Sequence, residues 1–106
     1  MAKYLIEGHY TTEGAKGVAR EGGSARRAAA AKTIEGLGGK LESFYFAFGE
    51  VDVYAVFDMP DAVSVTALSL AINQSGGLTG KVVVLIPPED MDRAAKIAVE
   101  YRPPGR

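Results

Sequence analysis

Strand-like and helix-like patterns alternate along this chain in the order β-α-β-β-α-β, with one more helical stretch after them. That order predicts an α+β domain of the ferredoxin-like type, in which two crossover helices cover one face of a four-stranded antiparallel sheet. Two further observations support it. Glycine pairs (Gly22-Gly23, Gly38-Gly39, Gly76-Gly77) stand at the changes of pattern, and the two central strand runs meet around Gly49-Glu50 as a hairpin.

The first strand, Lys3 to Tyr10, alternates Tyr4, Ile6, Gly8 and Tyr10 with Lys3, Leu5, Glu7 and His9. Thr11-Thr12-Glu13 opens a short helical piece, weakened by Gly14 and Gly17 at about 1 kcal/mol each relative to alanine. Ser24 is the expected N-cap of a better helix, Ala25 to about Leu37, with Ala30, Ile34 and Leu37 on one face and Gly38-Gly39 ending it. The hairpin strands occupy residues 42–58. Pro60 suits the first turn of a further helix that runs to about Ser75. Lys81 to Ile86 is a β-branched run and the expected fourth strand. Pro87-Pro88 stop it and start a last helix, Glu89 to Tyr101, with acidic residues in the first turn where the helix dipole favours them. Residues 1–101 read as one domain and 102–106 as a flexible tail.

Composition bounds the function classes. Of 106 residues, 47% are apolar and 24% charged, ordinary for a globular domain that is marginal in size for standing alone. A net charge of −1 with dispersed basic residues offers no footprint for nucleic acid or an anionic membrane. Cysteine is absent, which excludes disulfides, thiolate metal sites and a cysteine nucleophile, and fits a reducing cytoplasm. The uncharged stretch Ala62 to Gly80 is interrupted by polar residues throughout, whereas a membrane span needs about 20 mostly apolar ones. The expected location is therefore the cytoplasm.

An even hairpin loop keeps Phe44, Phe46 and Phe48 on one face with Val51, Val53, Ala55 and Phe57. This is the natural bed for the helices. The opposite face carries Ser43, Tyr45, Ala47, Asp52, Tyr54 and Val56, half apolar and rich in phenols. Two helices cover one face only, and tyrosine-rich faces of this kind suit interfaces. The expectation is a homodimer, sheet against sheet.

The chemistry-bearing residues are few. His9, the only histidine, suits a general base or an axial haem ligand in a cavity between subunits, or a solvated strand-end residue. Arg26 and Arg27 stand with Ser24 in the first turn of a helix, where cations oppose the dipole. With free backbone N–H groups they suit a carboxylate or phosphate, or they pair with Glu13, Glu21 or Glu35. At about 100° per residue Arg27 projects close to Ile34, which marks it as the more inward of the two, with Glu42 as a partner within the chain. Asp52 either orients a ligand or caps the hairpin turn. Tyr45 and Tyr54 can donate to a bound carbonyl or serve the interface alone. No metal constellation and no nucleophile–base pair is present, and no cofactor is implied.

The stretches YLIEGHYTTEGAKGVAREGGSARRAA, LGGKLESFYFAFGEVDVYAVFDMPD and LTGKVVVLIPPEDMDRA together resemble the GYD-domain family, small bacterial proteins grouped with the dimeric α/β barrels. The family's Gly-Tyr-Asp signature corresponds here to Gly49-Glu50-Val51-Asp52, with valine in place of the tyrosine. The resemblance implies the barrel-forming dimer and no specific activity. Three classes of function follow as expectations: a module binding or sensing a small anionic or aromatic molecule; an enzyme such as a cofactor-independent monooxygenase, isomerase or haem-handling protein; or a structural assembly protein.

Overall fold

In the computed structural model, which describes all 106 residues, the sheet holds four strands in the order β2-β3-β1-β4, each antiparallel to its neighbour. The strands are β1 (Ala2–Tyr10), β2 (Lys40–Phe46), β3 (Val53–Met59) and β4 (Leu78–Leu85). The helices are α1 (Thr12–Glu21), α2 (Gly23–Gly36), α3 (Ala62–Gln74) and α4 (Pro88–Ala95). This is the expected βαββαβ order, with the first crossover split into two helices. The split is at Gly22, whose φ of 90° is open to glycine but strained for other residues.

Several boundaries differ from the sequence expectation. Ser24 is not an N-cap: α2 begins one residue before it, its cap is Gly22, and no side chain closes the end. Thr11 caps α1 instead, its hydroxyl accepting from the Gly14 N–H. Asp61 caps α3, accepting from the Ser64 N–H at 2.7 Å, and this bond holds its carboxyl below the ordinary carboxylate pKa. The fourth strand starts at Leu78, three residues early, and its ladder to β1 runs through Gly80 opposite Gly8. The last helix ends at Ala95 rather than Tyr101.

The core lies between the helices and one sheet face. Tyr4 and Ile6 from β1, Ala55, Phe57 and Met59 from β3, Ile34 from α2, and Val65 and Leu68 from α3 form it. These β1 and β3 residues alternate along their strands, so the period of two selects the buried face. The hairpin faces fall as alternation requires through Phe44, Phe46, Val53, Ala55 and Phe57, whereas Phe48 and Val51 lie in the loop. On α3, Val65, Leu68 and Ile72 face the core, and Val63 and Leu70 are exposed.

Gly14 and Gly17 share α1 but not its surroundings. The start of α1 is clamped to the loop before β4, with Thr11 N–H donating to Gly77 O and the Thr11 hydroxyl to Gly76 O. A Cβ at Gly14 would overlap the Gly77 carbonyl, while one at Gly17 would meet open space. Gly17→Ala should therefore stabilise the protein by about 0.5–1 kcal/mol in urea unfolding. Gly14→Ala should destabilise it despite the same gain in helix propensity.

Candidate functional site

The exposed sheet face is organised in rows. Ser43, Val56, Leu5 and Val83 are successive neighbours across all four strands and form an uncharged, mostly apolar row. On one side of it run Tyr45, Tyr54, Glu7 and Lys81; on the other, Asp58, Lys3 and Leu85. Tyr45 and Tyr54 are thus direct cross-strand partners, with Tyr45 69% exposed. Lys3 lies 3.1 Å from both Asp58 and Glu42, and bonding to these carboxylates raises its pKa. Glu42 therefore belongs to this open face and is not the partner of Arg27. A bulge between Leu41 and Ser43 shifts the register and turns Glu42 over, which simple alternation does not anticipate.

At the hairpin end of the sheet, His9 and Asp52 come together. Asp52 Oδ2 accepts from the Tyr10 backbone N–H at 3.0 Å and lies 3.2 Å from His9 Nδ1, which is also 3.1 Å from Glu50 O. The Asp52 N–H donates to Gly8 O. Asp52 therefore fastens the hairpin loop to the end of β1 and orients His9, whose other ring nitrogen takes no part in these contacts. A shallow hollow beside it is lined by Glu7, Thr79 and Lys81.

The two arginines separate. Arg27 is exposed and has no carboxylate partner; with Ser24 it borders an open hollow between α2 and β2. Arg26 is the inward one, half-buried at the rim of a cavity of about 190 Å³ between α2, α3 and the sheet. Ile34 is the one buried residue of α2, and Arg26, Ala29 and Ala30 continue its inward face along the cavity. The helical offset from Ile34 thus carries Arg27 past that face. The cavity is floored by Ile6, Val53 and Ala55 and walled by Ala29, Ala30 and Ile72. It is left open because α2 presents alanines there.

Tyr10 closes one end of this cavity, which sequence reasoning missed. Its ring stacks on Phe46 at 6.3 Å, and burial pushes its hydroxyl pKa up, with the Arg26 charge pulling it part of the way back. The signal was available in the place of Tyr10 on the same face as Tyr4 and Ile6. Arg26 meets Glu21 only at 3.6 Å, beyond hydrogen-bond length, so its guanidinium keeps donors for another acceptor.

The chain belongs to the GYD domain family, whose model matches residues 4–95. No curated protein and no solved structure matches it. No helix is long and apolar enough to cross a membrane.

The contacts of Asp52 and His9 separate their roles. Asp52→Ala leaves the Tyr10 N–H without its carboxylate and should lower stability by about 1–3 kcal/mol. His9→Ala, at an exposed side chain, should change it by less than about 0.5 kcal/mol in the same urea titrations.

Proposed function

Taking membership of the GYD domain family as the premise, we propose that this protein is a homodimeric binding domain for a small organic carboxylate. Two copies meet through their open sheet faces, and each holds its ligand in the cavity between α2 and α3. The observation that carries the reading is that cavity, apolar on its floor and walls and cationic at its rim. An apolar chamber with one guanidinium selects an amphipathic anion: the carboxylate takes the paired donors of Arg26, and the hydrocarbon part replaces water against Ile6, Ala55 and Ile72. The volume of about 190 Å³ is below that of sites for drug-sized ligands, so the ligand is a single ring or a short chain.

The dimer rests on the composition of the open face. The row Val56, Leu5, Val83 has no element of its own chain above it, and Tyr45 and Tyr54 widen the patch. A second reading, an enzyme working by proton transfer, is favoured by the oriented His9 beside Asp52. Product formation from phenols or quinols, lost in His9→Gln, would select it.

The ligand reading is tested by thermal unfolding with benzoate, hexanoate and neutral benzamide. Both carboxylates should raise Tm and benzamide should not, since a ligand at about 100 times its Kd adds about 2.7 kcal/mol. Ala30→Leu fills the cavity and Arg26→Gln removes the charge; both should fold and lose the shift. An unshifted wild type across this set sinks the reading. For the dimer, Val56→Lys buries a charge in the proposed interface and should sediment as a monomer where the wild type is a dimer. A monomeric wild type would overturn that part alone.

A further inference from the structure

Everything after β4 leaves the body of the fold. The molecule measures 55 Å along its longest axis against 32 and 23 Å across, and α4 makes no substantial contact with any other element. Yet the segment is not a polar tail. Ile86, Met91, Ile97, Val99 and Tyr101 are all more than half exposed. A lone helix of eight residues is also too short to be stable in water. The segment carries the apolar side chains of a docked element without a surface beneath it.

A fitting surface lies at the other edge of the sheet. Between α2 and β2 runs an open groove of about 440 Å³ with Ala28, Ala31, Leu41 and Phe44 as its apolar lining. Arg27 borders it without a partner, and Glu42 lies along it. Within one chain β4 and β2 are opposite edges, three strand spacings or about 14 Å apart, and the segment leaves from the far one. A second copy brings it near. If the two sheets pair face to face about a two-fold axis along the strands, β4 of one lies over β2 of the other. β2 runs with β1 and β4 against it, so β4 ends where the partner's β2 begins.

We propose that residues 86–101 of each copy form an arm that docks in the α2/β2 groove of the other. The proposal rests on the sheet-to-sheet dimer. In the direction that topology dictates, the charged residues Glu89, Asp90, Asp92 and Arg93 lie on the crossing to the groove, and Lys96 and Glu100 enter it; the groove presents Glu42, already bonded to its own Lys3, and then Arg27. The signs are complementary at both places. Ile97 and Val99 supply the apolar contact, and Arg27, which has no carboxylate partner in its own chain, acquires one.

The chain has no native cysteine, so single cysteines can report the contact. Ala31→Cys and Ile97→Cys chains, each reduced and then mixed and oxidised, should give a disulfide-linked dimer of one chain of each kind; neither chain alone should give that product. A doubly substituted chain that closes the bond within itself, or a mixture that never cross-links while sedimentation still shows a dimer, overturns the arm and leaves the sheet dimer standing. A monomeric wild type sinks both. Deleting residues 86–106 should weaken the dimer about ten-fold or more by dilution sedimentation. Arg27→Glu should weaken it as well, and adding Glu100→Arg should recover most of the loss. A deletion that leaves dimerisation unchanged, or a reversal without rescue, counts against the arm.

Discussion

One constraint governs this molecule: a four-stranded sheet has two faces, and the chain supplies helices for only one of them. The resulting core is thin. Ten of 106 residues are buried, and only Phe57 and Met59 are wholly enclosed, both on β3. Folding free energy is a small difference between burial and chain entropy, so a core of this size leaves little surplus for an isolated domain. Further apolar surface must be covered for stability to rise, and the open sheet face offers the row Val56, Leu5 and Val83. The proposed dimer would add a second layer there without new sequence.

The same shortage explains the cavity. A helix packed on a sheet fills the space beneath it with large side chains, but α2 turns Ala29 and Ala30 toward the cavity. Larger residues at these positions would close the gap and enlarge the core. Their absence, with Arg26 and Tyr10 placed at the opening, gives up stability in exchange for a chamber. Trade-offs of this direction are usual where a ligand later supplies the missing contacts.

Alternation made most of the fold legible from sequence. Tyr4, Ile6, Val53, Ala55 and Phe57 have one environment, and Leu5, Tyr54 and Val56 have the other; a period of two is enough to sort them. What escaped depends on single-residue shifts. The bulge beside Glu42 moves that carboxylate to the opposite face, where Lys3 takes it, and no local signal in KLESFYF marks the extra residue. The inward face of α2 was read from Ala30, Ile34 and Leu37, but Arg27 was placed by its nearness to Ile34 alone, and an error of well under half a turn exchanged Arg26 for Arg27. The early end of α4 is of another kind. Its propensity and charges favour helix through Tyr101, but propensity without a packing surface does not sustain one.

The charged rows that flank the apolar row on the open sheet face bear on why its burial is tolerable. Lys3 already bonds Asp58 and borders Glu42 within one chain, and no buried side-chain polar atom lacks a partner. Covering such a pre-formed cluster removes water from groups that keep their protein partners, which is far less unfavourable than burying a lone charge. Glu7 and Lys81 are likewise neighbours across β1 and β4. The face therefore carries its charges in complementary sets at its margins and its hydrocarbon in the middle, the distribution of an interface core and rim.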